Sequence, residues 1–191
     1  FISCSQQSYV DKYDLLAGLK KNGTFLLNTI WTDEELDKHL PAAMKRYIAK
    51  NNIKFYTVNA VKIAQELGLG GRFNMVMQSA FFKLANIIPM DKAVEYLKDA
   101  IVKSYGKKGQ NIVDMNNGAV DAGIEALHLV EVPADWADAA DEAVAANKDL
   151  PEYIVKLQNP VNRQEGNNLP VSVLEPHADG TFPMGTAAYE K

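Results

Sequence analysis

The residues best suited to chemistry in this chain lie in and after a glycine-rich turn, Gly68-Leu69-Gly70-Gly71-Arg72. A helical pattern precedes the turn, and the apolar spacing that follows predicts a second helix starting at about Arg72. The first N–H groups of a helix have no partner inside it, so they bind phosphates and other anions well. The sequence therefore predicts an anion site formed by Gly70 and Gly71, the Arg72 guanidinium and the nearby Asn74.

An ordinary helix end explains the same turn without any ligand. Glycines commonly close a helix, and Arg72 would then be a solvated side chain after a turn. A cation in the first turn of a helix opposes the helix dipole by a few tenths to about 1 kcal/mol. An anion shared by Arg72 and the N–H groups would remove that cost, but the residues alone leave both interpretations open.

Asn28 and Thr29 form a second candidate site, at the end of a predicted strand. Residues 24–29 read Thr-Phe-Leu-Leu-Asn-Thr, a continuous apolar run typical of a strand covered on both faces. Open α/β sheets place ligand-binding groups at the carboxyl ends of their strands. The two residues are thus expected to face an active-site cleft, with a structural turn at the strand end as the alternative.

Other chemistry is scarce in the sequence. His39, His128 and His177 have no metal-ligand spacing to one another or to Cys4, so we predict no metal site. No Ser-His-Asp set is apparent, and we assign no catalytic residue. Cys4 is the only cysteine, which excludes an internal disulfide framework and a four-cysteine cluster within these 191 residues.

Predicted strands and helices alternate in the first third of the chain. Strands at 1–5, 24–29 and 53–59 are separated by a predicted helix at 9–19 and by helical sequence that starts at the capping box Thr32–Glu35. This order indicates a mostly parallel, Rossmann-like α/β sheet flanked by helices. The second half is helix-rich, and 128–132 is a candidate final strand.

The character of the sequence changes after about Pro133. Residues 134–147 are rich in alanine and acidic side chains, which favours one amphipathic helix around Trp136. Five prolines then interrupt polar sequence, a pattern typical of an extended arm. We therefore predict an α/β core over 1–132, lacking an N-terminal part, and a helical segment with a linker arm over 133–191.

Overall composition narrows the class of protein. A formal net charge of −4 argues against a general nucleic-acid-binding surface, and no apolar run reaches the length of a membrane span. No signal peptide is visible, so we expect a cytoplasmic protein without a membrane partner.

Several motifs together resemble pyruvate:ferredoxin (or flavodoxin) oxidoreductase. The resemblance extends over nearly the whole chain, including the linker-like C-terminal motifs. The motifs lie at 12–14, 23–29, 58–64, 68–74, 81–85, 100–109, 179–183 and 185–191. The resemblance implies an internal third domain of a much longer enzyme, plus the start of the connector to an iron–sulfur domain.

This resemblance implies a reaction and a role for the chain. The full enzyme would decarboxylate pyruvate on thiamine diphosphate with Mg²⁺, pass electrons through 4Fe–4S clusters to ferredoxin or flavodoxin, and transfer the acetyl group to coenzyme A. This domain would close the active site, with Arg72 facing the coenzyme A phosphates and Gly70, Gly71 and Asn74 shaping the site. The resemblance implies no cofactor in these residues, an inactive isolated fragment, and a homodimeric full enzyme whose other domains are this chain's partners.

Two alternatives remain open at the level of sequence. The domain could be a purely structural spacer between catalytic domains. It could also come from a related enzyme acting on another 2-oxoacid, since the sequence does not decide between pyruvate and its analogues or between ferredoxin and flavodoxin as acceptor.

Overall fold

The computed structural model describes residues 1–141 and 150–189. The chain divides into two compact units, the first formed by 1–11 and 15–141, and the second by 12–14 and 142–191. The first unit extends past the predicted boundary at residue 132 because Trp136 is buried in its core. The compact units do not test the predicted domain boundary between residues 132 and 133, which remains a prediction.

A four-stranded sheet organises the first unit. The strands are β1 (Ile2–Cys4), β2 (Thr24–Asn28), β3 (Lys54–Val58) and β4 (His128–Leu129), in that spatial order. Strands β1, β2 and β3 are parallel, whereas β4 runs antiparallel to β3. The predicted mostly parallel α/β sheet is confirmed.

Helices cover both faces of the sheet, and each face has its own core. Helices α1 (Asp33–His39) and α2 (Ala42–Lys50) connect β2 to β3 and pack over the face that carries Phe25 and Phe55. The rings of Phe25 and Phe55 stack with centroids 5.3 Å apart. The opposite face, which carries Leu26 and Val58, is covered by the helices that follow β3.

Four helices between β3 and β4 form the helix-rich second half. They are α3 (Ala60–Glu66), α4 (Asn74–Ala85), α5 (Met90–Tyr105) and α6 (Gln110–Glu125). Helices α4 and α6 approach so closely at Gly123 that a Cβ there would lie 2.5 Å from the Val76 carbonyl oxygen. No helix in the described part of the chain is long and apolar enough to cross a membrane.

Two local predictions are wrong. The predicted helix at 9–19 is absent: a short 3-10 segment, Gln7–Tyr9, is followed by turns. Gly18 has φ +80°, a left-handed conformation that interrupts a helix, and Asp14 is a residue that favours turns. Helix α4 begins at Asn74 rather than near Arg72, because the Arg72 N–H still belongs to a turn that closes on the Leu69 oxygen at 3.3 Å.

The second unit carries helical turns where the sequence predicts an extended arm. Its described part contains a π-helical turn at Ile154–Gln158, helix α7 (Asn159–Asn162) and 3-10 turns at Gly166–Asn168, Val171–His177 and Thr186–Tyr189. Of the predicted helix at 134–147, Ala134–Asp138 is a 3-10 segment, and residues 142–149 lie outside the described residues.

Candidate functional site

A cleft of about 680 Å³ opens at the carboxyl ends of β2 and β3. It exists because the chain leaves β2 toward one face of the sheet and leaves β3 toward the other, which separates the two loops. In open α/β sheets such a crevice is the usual place for a ligand. The lining residues are Thr29–Glu34, from the loop after β2 and the start of α1, Thr57–Asn59, from the end of β3 and the residue after it, and Ala126 and His128.

The Asn28 side chain ties together three elements around this cleft. Its amide nitrogen donates to the Ser5 carbonyl oxygen (3.0 Å), just after β1, and its amide oxygen accepts from the Ala60 N–H (3.0 Å) at the start of α3. Asn28 is buried and does not line the cleft. Its contacts give it a positioning function in the structure.

Thr29, by contrast, does line the cleft, and it is also hydrogen-bonded. Its hydroxyl donates to Gln7 Oε1 (2.9 Å) and accepts from the Trp31 N–H (3.1 Å). Gln7 Oε1 also accepts from the Ile30 N–H at 3.0 Å. These bonds hold the loop after β2, so the loop conformation is fixed by side chains from two segments of the chain.

The start of α1 forms one wall of the cleft. Thr32 and Glu35 make the capping box that the sequence predicts: the Thr32 hydroxyl accepts from the Glu35 N–H, and the Glu35 carboxylate accepts from the Thr32 N–H at 2.9 Å. That backbone hydrogen bond lowers the pKa of Glu35. At the rim, His128 Nε2 lies 3.0 Å from both carboxylate oxygens of Asp33.

Thr57 contributes a polar group that sequence reasoning did not identify. It lines the cleft from β3 and is only 6% exposed. Its hydroxyl has no hydrogen-bond partner among the described residues. In the register of β3 and β4, Thr57 lies opposite His128, so the two residues come together only when β4 pairs with β3.

The glycine-rich turn forms a separate polar surface after α3. Gly68 (φ +77°) and Gly70 (φ +61°) adopt left-handed conformations, and between them Leu69 is buried and donates its N–H to the Ala64 oxygen (2.8 Å). The Arg72 side chain is exposed and its Nε donates to the Leu69 oxygen (3.1 Å). The two terminal nitrogens of the guanidinium have no hydrogen-bond partner among the described residues.

The N-terminus of α4 follows directly and is open. No side chain of the described residues caps it, and the N-cap residue is Phe73. Gly70, Gly71, Arg72 and Asn74 are all exposed. Within 1–141 and 150–189, no carboxylate lies within salt-bridge distance of Arg72.

The structure does not bring the two candidate sites together. The cleft is lined by Thr29 but by none of the four residues at the glycine-rich turn. Helix α3, seven residues and thus about 10 Å long, separates Asn59 of the cleft from Gly68. No group of three or more His, Cys, Asp or Glu side chains in the described residues could hold a metal ion.

Comparison with protein families gives two matches. Residues 1–126 match the model described as pyruvate ferredoxin/flavodoxin oxidoreductase, and residues 139–191 match a domain of unknown function.

Similar sequences and one similar structure agree with the first match. The chain is 64% identical, over its whole length, to the pyruvate-flavodoxin oxidoreductase of Enterobacter agglomerans, and 55% identical to the pyruvate:ferredoxin oxidoreductase of Moorella thermoacetica. It spans 16% of the length of each of these relatives. A crystal structure of pyruvate oxidoreductase subunit PORC from Thermotoga maritima aligns with a TM-score of 0.53 at 23% identity, covering 68% of this chain and 64% of that one. That likeness concerns the fold.

Proposed function

This chain belongs to the pyruvate ferredoxin/flavodoxin oxidoreductase family, and from that premise we propose that it helps an enzyme of this kind to hold coenzyme A. The full-length enzyme would convert pyruvate and coenzyme A to acetyl-coenzyme A and CO₂, and reduce ferredoxin or flavodoxin. In this proposal the chain closes over the active site, and the glycine-rich turn faces the phosphates of coenzyme A.

The observation that carries the proposal is the open guanidinium beside an uncapped helix N-terminus. Arg72 keeps one hydrogen bond to Leu69 and has no carboxylate partner among the described residues, while the first turn of α4 has no side-chain cap. A guanidinium can hold a phosphate through two parallel hydrogen bonds, and helix N–H groups add further donors. Gly70 and Gly71 carry no side chain that would keep a phosphate away; a Cβ at either would meet no atom within 4 Å.

The names of the relatives support a role on the substrate side of the enzyme. One relative is named for flavodoxin and another for ferredoxin, yet both match the whole of this chain at 55% identity or more. A segment that selected the electron acceptor would be expected to differ between them. This supports our proposal that the chain lies near pyruvate and coenzyme A, and that ferredoxin and flavodoxin bind elsewhere on the polypeptide.

The family's cofactors would be bound outside these 191 residues. One cysteine cannot supply the four thiolates of a 4Fe–4S cluster, so the residues present do not fit that group. Thiamine diphosphate and Mg²⁺ would likewise be held by other domains, in a homodimeric, cytoplasmic enzyme. No step of the reaction is assigned to a side chain of this chain.

Substitution of Arg72 in the full-length enzyme tests the proposal. Arg72→Ala should weaken the apparent affinity for coenzyme A about tenfold to a hundredfold, from the roughly 1.5–3 kcal/mol of a hydrogen bond to a charged group. Arg72→Lys should recover only part of the loss, because an ammonium keeps the charge but not the planar fork. The measurement is steady-state kinetics with coenzyme A and pyruvate varied separately.

A matched control separates this role from a general effect of charge. Arg163 is another exposed arginine without a salt-bridge partner in the described residues, so Arg163→Ala should leave the coenzyme A dependence unchanged. An unchanged KM for coenzyme A in a correctly folded Arg72→Ala enzyme would refute the proposal and favour the structural-spacer alternative.

A further inference from the structure

We propose that the cleft between the β2–α1 and β3–α3 loops binds a basic side chain, lysine or arginine, of a protein surface that packs against this unit. The inference is independent of the coenzyme A proposal, because the cleft contains none of the residues at the glycine-rich turn. It is carried by an unpartnered polar group, the charge of the lining and an exposed apolar wall.

The unpartnered polar group is the Thr57 hydroxyl. Thr57 is 94% buried, lines the cleft and has no side-chain hydrogen bond within the described part of the chain. Among the described residues, Asn117 Oδ1 is the one fully buried side-chain nitrogen or oxygen without a partner, so the Thr57 hydroxyl oxygen is reached from the cleft. A ligand in the cleft can therefore hydrogen-bond it. A hydroxyl can accept a hydrogen bond from an ammonium or guanidinium N–H.

The charge of the lining selects a cation. Asp33 and Glu34 are exposed at the start of α1, and the cleft lining includes neither lysine nor arginine. His128 is the one basic group of the lining, and it is directed to Asp33, with Nε2 at 3.0 Å from both carboxylate oxygens. Glu34 has no ion pair among the residues described. A phosphate or carboxylate would therefore meet repulsion here.

An apolar wall suits the alkyl stem of a basic side chain. Ile30 is 64% exposed at the cleft, and Trp31 lies beside it. The Trp31 ring stacks on His39 with centroids 4.8 Å apart and an angle of 15°, which fixes the plane of the indole. Lysine and arginine bury their methylene stems on such surfaces while their charged heads reach polar groups.

A protein surface is a better source of this cation than a free amine. The chain spans 16% of its relatives' length, so a family member carries extensive further polypeptide that can supply a lysine or arginine.

Titration of the 191-residue chain with small probes tests the chemistry. N-butylguanidinium and n-butylammonium should shift the Trp31 indole N–H signal saturably in the millimolar range, whereas butyrate of the same length should not. Trp136 is an internal control, because its indole N–H is buried and donates to Asp37 Oδ1 at 2.7 Å. Equal binding of butyrate, or no saturable shift with either cation, would overturn the proposal.

Three variants identify the groups responsible. Glu34→Gln should weaken the cationic probes about threefold, as for an exposed ion pair, and Thr57→Val about fivefold, as for one hydrogen bond. Glu66→Gln is the matched control, since Glu66 lies at the end of α3 and pairs with Lys62. Thr57→Ser should keep the hydroxyl and restore binding; if it binds as weakly as Thr57→Val, the hydroxyl is not the contact.

A charge reversal in the full-length polypeptide tests the source of the cation. Glu34→Lys should lower the thermal midpoint of the full-length protein more than that of the 191-residue chain. In both, the lysine opposes the helix dipole in the first turn of α1, but the basic partner is present only in the full-length protein. An equal effect in both, or none in either, would refute a protein partner at the cleft.

Discussion

Helices α4 and α6 are in close contact at Gly123, and a single methyl group there should push them apart. An ideal Cβ on Gly123 would clash with Ser79 Oγ and would lie 2.5 Å from the Val76 carbonyl oxygen and 2.9 Å from Val76 Cα. Two of these three atoms belong to the backbone of α4, and Ser79 Oγ is already bonded to the Val76 oxygen at 3.0 Å. The two Val76 atoms cannot move away without moving the helix, and rotation of Ser79 Oγ would break its hydrogen bond.

The expected magnitude follows from two opposing terms. Alanine is favoured over glycine inside a helix by about 1 kcal/mol. Overpacking a well-packed core costs about 1–3 kcal/mol, and contacts to backbone fall at the upper end or beyond because no rotamer relieves them. The difference leaves Gly123→Ala lowering the free energy of unfolding by about 2 kcal/mol, which is a fall of roughly 4–8 °C in the unfolding midpoint for a protein of this size.

Gly118 supplies a control in the same helix. A Cβ on Gly118 would meet only Leu67 Cδ2 at 3.3 Å and Leu67 Cδ1 at 3.8 Å, the far end of a side chain that can rotate. Gly118→Ala should therefore be neutral or stabilising by up to about 1 kcal/mol. Thermal and urea unfolding of the two variants, followed by circular dichroism, compares them directly. A Gly123→Ala protein at least as stable as Gly118→Ala would refute the packing argument.

Two further predictions concern titratable groups. Hydrogen bonds from the Lys45 ammonium and the Trp136 indole N–H hold the pKa of Asp37 below its ordinary value of 3.8. The ionised Asp37 carboxylate therefore stabilises the fold fully above its ordinary pKa, and this stabilisation is lost as the pH falls through the lower pKa of the folded state. In a Trp31→Phe variant, the Trp136 fluorescence should thus change in acid. Asp37→Asn should remove that acid transition; a transition that persists unchanged would assign it to another group. Burial raises the pKa of the Cys4 thiol, whose Sγ donates to the Gln6 oxygen at 3.1 Å. Iodoacetamide should thus alkylate Cys4 far more slowly in the folded chain than in urea, and equal rates would contradict its burial.

Much of the fold was predictable because local signals agree with the tertiary structure. The strand at Thr24–Asn28 is a continuous apolar run and is buried on both faces, as the sequence predicts. The capping box at Thr32 and Glu35 starts α1 where expected. The prediction failed between residues 9 and 19, where apolar spacing suggested a helix but the left-handed backbone at Gly18 and the turn preference of Asp14 prevail.

The candidate sites were predictable only in part, because their geometry depends on pairing between distant segments. Thr29 could be proposed for a cleft from the rule that ligands bind at the carboxyl ends of parallel strands. Thr57 and His128 could not, since their proximity requires the antiparallel register of β3 and β4, which no local pattern encodes. Arg72 was identified by its glycine neighbours, but its place two residues before α4 depends on the turn that closes on Leu69.

The contacts of Asn28 explain why a buried amide, rather than an apolar residue, ends β2. At this point the chain leaves β2 and β3 in opposite directions, so backbone groups near the sheet's edge lose their ladder partners. One amide supplies both a donor, to the Ser5 oxygen, and an acceptor, for the Ala60 N–H. An aliphatic residue of similar size would leave both backbone groups unsatisfied. Because Asn28 directly precedes Thr29, and Ala60 directly follows Asn59, the same side chain fixes the distance between the two loops that form the cleft. Any ligand of the cleft would thus meet walls that are already in place before it binds.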